Sequence, residues 1–505
     1  MNLNKRNKKI IMCLSVLLTL SQAGYMQAQS YTTSNRHYYF YDDESDSTIV
    51  RNWDDTVVFT CSHHPNNTLY SHIFHMRKST VLPAKEVGMP ILMGSYGRIV
   101  DRINDMRILE NECYFCGTRI SPIGAEFEYD TSGNIHIEYT YDTCGFIGYY
   151  SFDNLLNVVG IIQVYLISNV KSVLRMAVYN SEYNNNVTCI ELVGIKDTDT
   201  QPKCLVEMSR TGTGPDVWSY VVITPSLSDE IFTDVVLTDE ILVTASVYGN
   251  NDGEIGFRHI KPTQYPFSQP LSPTTDNDLY KYDTRNYSST HFIFGFTRLS
   301  NAPVRLCARQ NGFIAGVAGK PVTGSGPIEI GNYVFVFDMA WPNMMREFQS
   351  ANTGWKLSCK EMTYLEQKKA VGILYSSTYS SNINYMRTFL QFPRLGAVSV
   401  GGQYTDTLMY YGDGDLHSID TYKGHSVSLG GIRQAGAFPS DGIQRQYNRS
   451  NSCYALYGEG VIYRDPVLTP RYFFSGWTHS NPVGAERVEY QPIKDFEGMT
   501  MSCSH

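Results

Sequence analysis

Helical periodicity is nearly absent from this 505-residue sequence, and only Asn343 to Gln349 and Tyr364 to Lys369 have the pattern for a turn or two. No apolar run beyond residue 20 is long enough to cross a bilayer. The best stretch, Leu155 to Ile167, is interrupted by Asn157, Gly160 and Gln163, so it reads as two adjacent buried strands and no transmembrane span is expected. A basic excess is also missing. The formal net charge is −8, which excludes the counterion-displacing surface of a nucleic-acid binder and disfavours an anionic membrane as partner. Tryptophan is sparse, at 5 residues against 37 tyrosines and 40 glycines. Motifs with a fixed chemistry are absent: there is no H-E-x-x-H, no phosphate-cradling glycine loop and no G-x-S-x-G elbow. The catalytic residues, if the chain has any, are therefore unknown from sequence.

What is present begins with an export signal. Lys5, Arg6, Lys8 and Lys9 precede an apolar run from Ile10 to Leu20, and polar and small residues follow up to Ala28. A charged start, a short apolar middle and a small residue at the cut form the layout of a secretory signal, so cleavage after Ala28 is expected, with Ala23 as the other site. The expected location is periplasmic, cell-surface or extracellular. Residues 1–28 carry four bases and no acid, so the mature chain has a formal charge of −12. Ten of the 11 cysteines remain after cleavage, an even number that permits disulfides in an oxidising compartment without fixing their pairing. Cys113 and Cys116 have redox or zinc spacing, yet they lie in a strand-like run where residues three apart face opposite sides.

Strand signals fill the rest, cut by turns such as Asp130 to Gly133, Asn250 to Gly253 and Pro65 to Thr68. Three segments open alike, with an acid, an apolar residue and then strands: Asp105-Met, Asp234-Val and Glu361-Met. The first two lie 129 residues apart and the next two 127. Halving that spacing predicts weaker copies near Asn169 and Arg298, and further starts are expected near Asn52 and Asp420, giving a unit of 53 to 65 residues. A unit of that size with four strands cannot bury both faces of its sheet unless copies stack around an axis. The chain thus resembles β-propeller repeat proteins at the level of architecture. It carries neither the paired glycines of Kelch repeats, nor recurring Gly-His and Trp-Asp marks, nor the aspartate-box turn of sialidase-like enzymes. The expected fold is all-β, a propeller of about seven four-stranded blades spanning 51–505, with six or eight blades or tandem β-sandwiches as alternatives. Residues 29–50 form an N-terminal segment in which His37 to Tyr41 could pair with C-terminal strands and close the ring.

Three constellations are candidate sites. His63, His72 and His75, with His64 and Cys61 beside them, flank a hairpin and present imidazoles to zinc or copper, against the plainer reading of a polar edge hairpin. Asp413, Asp415 and His417 share a glycine-containing loop with Asp420 nearby, suited to calcium or to paired-carboxylate hydrolysis, although Asp-Gly also serves tight turns. Tyr375, Tyr379 and Tyr385 lie in an amide-rich loop that would stack on sugar faces, a composition common on secreted β-proteins. No cofactor is required by any motif; zinc or calcium would sit at the first two sets. The leading expectation is a non-catalytic binder of a glycan or protein through loops at one end of the ring. The alternatives are a polysaccharide hydrolase or lyase with acids in the central funnel, and a structural or adhesive surface component.

Overall fold

The computed structural model describes the chain from Arg36 to Glu489 with interruptions. Residues 1–35 and 490–505, the internal segments 261–278, 284–295, 392–406, 434–451 and 460–474, several shorter loops and a number of side chains lie outside the described residues. The signal segment falls among them, as does the acidic run Asp42, Asp43 and Glu44.

Every described regular element is a β-strand. Asn343 to Gln349, expected to hold a helical turn, lies in the strand Trp341–Thr353, which pairs in register with Glu329–Asp338. Residues 366–369 of the second such stretch lie outside the described residues. Cross-strand pairing along a whole strand outweighs a weak local helical preference.

Besides the two-residue pairing of Arg36–His37 with Val488–Glu489, the described strands form seven antiparallel sheets, numbered here 1 to 7 in chain order. They span residues 45–87, 92–167, 170–223, 230–283, 296–353, 355–408 and 414–478. Each is an up-and-down meander. In sheet 3, for example, Val170–Ser181, Val187–Lys196, Cys204–Thr211 and Val217–Ile223 pair in order. The inner strands are Val50–Trp53, Gly97–Leu109, Val170–Ser181, Glu230–Leu237, Arg305–Arg309, Trp355–Leu365 and Gly414–Tyr422. Each packs on the inner strand of the next sheet, and the last packs on the first. The architecture is propeller-like. From the N-terminal segment, Phe40–Tyr41 adds to the third strand of sheet 7, beside Ser452 and Cys453.

The apolar core lies between sheets, where neither face is left to water. Ile103, Met106, Phe115, Phe146 and Tyr150 of sheet 2 meet Val58 and Ile73 of sheet 1. On its other face Tyr114, Cys116, Ile147 and Tyr149 meet Val173, Ile190 and Leu192 of sheet 3. Sheets 3 and 4 meet through Tyr179, Cys189, Phe232 and Val235. Sheets 4, 5 and 6 share a continuous cluster containing Phe257, Phe313, Phe337 and Met362. Burial on both faces explains why Leu242–Tyr248 reads as unbroken small and apolar residues instead of alternating, all seven being buried. Gly148 sits opposite Phe115, whose ring lies 2.2 Å from where a Cβ would stand, so only glycine admits that ring.

Leu155 to Ile167 forms a turn and a single outer strand, Val158–Ile167, instead of two buried strands. That strand pairs on one side only, leaving Val159 and Ile161 exposed. No helix among the described residues is long and apolar enough to cross a membrane.

Candidate functional site

A meander entered by its inner strand returns its second strand to the starting end. The turns between second and third strands, and the connections between sheets, therefore gather at one end of the ring, here called the upper end. Three sequence candidates can be placed against it.

The strands Thr56–His63 and Tyr70–Arg77 pair Cys61 with His72, His63 with Tyr70 and Val58 with His75. Pairing puts His63 and His72 on one face and His75 on the other, because strand faces alternate. His75 is buried between sheets 1 and 2, its Nε2 2.5 Å from the Tyr150 hydroxyl and its ring 4.9 Å from Phe152. His64 lies outside the described residues, as do the side chains of His63 and His72. Asp415 and His417 lie on the inner strand of sheet 7, with His417 in a register shift between Leu416 and Ser418; Asp413 and both side chains are outside the described residues. Tyr375 and Tyr379 lie on the second strand of sheet 6, opposite Cys359 and Trp355, and Tyr379 ends it at the upper end. Tyr385 and these two side chains are outside the described residues. Among the described residues no group of three His, Cys, Asp or Glu could hold a metal.

Cys113 and Cys116 are both buried and free, one in the core facing sheet 1 and the other in the core facing sheet 3. Burial pushes the Cys113 thiol up to about 12 and the Cys116 thiol well above its ordinary value. Neither is an activated nucleophile or a thiolate ligand.

The axis carries an arrangement that was visible in sequence only as its acids. Asp105 Oδ2 accepts the backbone amide of Met176, 3.0 Å away on the next sheet. Asp234 Oδ2 accepts that of Leu306 (2.9 Å), Glu361 Oε2 that of Ile419 (2.8 Å), and Asp420 Oδ2 that of Asn52 (2.7 Å). Each carboxylate thus clasps its sheet to the following one, and the last bond joins sheet 7 to sheet 1. Three of the four amides follow an arginine: Arg51, Arg175 and Arg305. Arg51 Nη2 bridges Asp105 Oδ1 (2.6 Å) and Glu361 Oε1 (2.7 Å), and Arg107 Nη1 adds a second contact to Asp105 (2.8 Å). Arg175 reaches from sheet 3 to the Lys360 carbonyl of sheet 6 (3.4 Å). Alternation of acid and arginine on successive sheets explains why the acids recur at twice the sheet spacing.

Burial by itself would raise the pKa of Asp105 and Glu361, but Arg107 and Arg51 for the first, and Arg51 and Arg175 for the second, hold both below the ordinary carboxylate range. At neutral pH these acids are charged acceptors and poor proton donors. Burial keeps Asp420 above its ordinary value despite Arg51.

At the upper end of sheet 2, the strands Glu112–Tyr129 and Ile135–Phe152 outrun their neighbours. Gly97–Leu109 pairs only as far as Ile120, and Val158–Ile167 only from Gly145, so 121–129 and 135–144 project as a two-stranded ribbon. Among the described side chains, pairing places Ala125, Tyr139 and Tyr141 on one ribbon face and Glu126 and Asp142 on the other; the side chains of 127–138 lie outside the described residues. Tyr141 and the bulged Ile123 are each 53% exposed and Tyr139 is 40% exposed, with the two tyrosine rings 6.2 Å apart. This platform lies in a segment whose alternation reads as ordinary strand. Only the unusual length of the run, 112–152 with a single turn, distinguishes it in sequence.

No protein-family model and no curated protein matches the sequence. Among solved structures the chain is similar to Chaetomium thermophilum Sqt1, at 9% identity and a TM-score of 0.40 over 78% of this chain and 95% of that one. It is similar to Trypanosoma rangeli sialidase at 9% identity and a TM-score of 0.35, covering 72% of this chain and 58% of the sialidase. For Pyrococcus horikoshii acylaminoacyl peptidase the values are 9% and 0.38, over 85% of this chain and 52% of the peptidase.

Proposed function

We propose that the chain is an exported seven-bladed β-propeller that works by binding, without catalysis, and that it recognises a glycan or protein partner at its upper end. The closed cycle of seven sheets supports the blade count, and the charged, apolar and small-residue layout of 1–28 supports export. The observation that carries the binding role is the projecting ribbon with Tyr139, Tyr141 and Ile123 exposed together. Aromatic side chains have few rotatable bonds, so they lose little entropy on contact while burying large area against a sugar face or an apolar side chain. The axial acids offer little to the alternative of a funnel hydrolase. Asp105 and Glu361 are neutralised by arginine, and together with Asp234 they clasp one sheet to the next.

The test uses the mature chain from Gln29 with a panel of host and microbial glycans and a panel of extracellular proteins, assayed for binding and for soluble products. Saturable binding without products, weakened tenfold or more in Tyr139→Ala/Tyr141→Ala at unchanged thermal stability, is the expected result. New reducing ends from a polysaccharide would replace this reading with the hydrolase. Binding that ignores both tyrosines would remove the ribbon from it.

A further inference from the structure

A cavity of about 460 Å³ opens beside the axis between sheets 3, 4 and 5, a volume within the range of small-molecule sites. Its residues come from the inner strands, the turn after Lys196, Val247 on the second strand of sheet 4, and the stretch from Arg298 to Pro303 that leads into the inner strand of sheet 5. Three arginines line it: Arg175, Arg298 and Arg305. Among the described residues in its wall there is no carboxylate.

The three guanidinium groups are held differently. Arg298 donates to the carbonyls of Leu299, Ala302 and Tyr248, which fixes its position. Among the described residues Arg175 hydrogen-bonds through a 3.4 Å contact to the Lys360 carbonyl and approaches Glu361 at 4.0 Å, whose Oε1 already receives Arg51 at 2.7 Å. Burial disfavours the Arg175 charge, but Asp234, Asp105 and Glu361 outweigh that cost and keep it a cation. Arg305 donates Nη1 to the Thr233 carbonyl (2.6 Å), while its buried Nε has no hydrogen-bond partner. Burial, with Arg175 close by, pushes Arg305 down to about 10 although Asp234 opposes the fall. Arg51, by contrast, is raised: burial disfavours its charge, but Glu361 and Asp105 outweigh that cost. A buried cation with an idle donor beside a second cation is costly unless an anion completes it.

We propose that this cavity binds a small organic carboxylate, with Arg305 and Arg175 ligating the two oxygens and the apolar wall of Leu174, Ile231, Phe232 and Val247 receiving its carbon body. A planar two-oxygen anion matches the guanidinium fork, and charge-assisted bonds of that kind are about twice as strong as neutral ones. The inference stands apart from the ribbon, which lies on sheet 2 and contributes nothing to the cavity wall.

The experiment is thermal unfolding and calorimetric titration of the mature chain with sodium glucuronate and sodium N-acetylglycinate, against glucose and matched sodium chloride. At least one carboxylate is expected to raise the melting temperature saturably while glucose and chloride do not. Which of the two acts identifies the source as an acidic sugar or an acylated amino acid. Arg305→Gln relieves the uncompensated charge, so its free form should melt at or above the wild-type temperature and lose the carboxylate shift. Arg305→Lys keeps the charge without the fork and should weaken binding tenfold or more. No saturable response to either carboxylate, an equal response to glucose or chloride, or an unchanged response in both variants overturns the proposal.

Discussion

Asp105 shows how much one buried acid can hold. It is fully buried and accepts from Arg51, from Arg107, from its neighbouring Met106 amide and from the Met176 amide of the next sheet. Asp234 makes the corresponding bonds to the Val235 and Leu306 amides. Asp105→Asn removes a charge from between two cations and turns an amide group toward them, so a loss of about 3–5 kcal/mol is expected. Asp234→Asn should cost less, about 1–3 kcal/mol, because among the described residues Asp234 accepts from backbone amides and from no arginine. Urea unfolding at neutral pH checks the order, and equal costs would mean that the arginines contribute little. The pH dependence follows from the lowered Asp105 and Glu361 values. A depressed carboxylate contributes its stability above its unfolded pKa and loses it as pH falls through the lower folded value. Wild-type stability should therefore fall on acidification in that acid window, and the fall should be shallower in Asp105→Asn.

Among the elements, sheet 3 contains a pairing that its sequence does not advertise. Glu191 and Glu207 stand directly opposite each other on Val187–Lys196 and Cys204–Thr211, both buried. Burial first, and then the Glu207 charge, raise Glu191 well above its ordinary value. A raised carboxylate is protonated in the folded state while the unfolded chain ionises. Stability is thus lost as pH rises from the ordinary glutamate value toward the folded one. Glu191→Gln retains a donor facing Glu207 without an ionisable proton. It should leave stability near pH 4 almost unchanged and raise it by about 1–2 kcal/mol at pH 8, read from urea midpoints at both pH values. Equal effects at both would show that Glu191 stays ionised. In the sequence Glu191 is simply an acid between apolar neighbours, because alternation reveals which residues share a face and not which sheet covers it. The same limit hid the ribbon face and the role of Arg175. The acids at 105, 234 and 361 were legible because each opens an inner strand's apolar stretch, and their doubled spacing follows from arginine on the sheets between. Leu155 to Ile167 misled because an outer strand with one paired edge carries the same apolar composition as a buried one.

For the whole molecule, ring closure decides whether seven marginal sheets become one cooperative body, since no sheet alone buries both its faces. Sheet 1 meets sheet 7 through polar contacts: the Val50 and Asn52 amides donate to Ser418 Oγ and Asp420 Oδ2, and Arg51 donates to Ser418 Oγ. It meets sheet 2 through the apolar cluster of Val58, Ile73, Phe115 and Phe146. Among the described side chains, sheet 1 thus joins sheet 2 by hydrophobic burial and is hydrogen-bonded to sheet 7. A chain beginning at Ile91 lacks sheet 1 and the strand that pairs with Ser452 and Cys453. It exposes one face of sheet 2 and leaves the Glu361 and Asp420 carboxylates without their sheet 1 donors. Such a chain should sediment as aggregates and lose a single unfolding transition. A separate 29–90 fragment added in trans should restore a one-to-one complex with one transition, because every contact it makes among the described residues is non-covalent. If the truncated chain is instead monomeric and melts as the full chain does, the seam between sheets 7 and 1 adds nothing to stability, and the axial clasps within sheets 2 to 7 suffice.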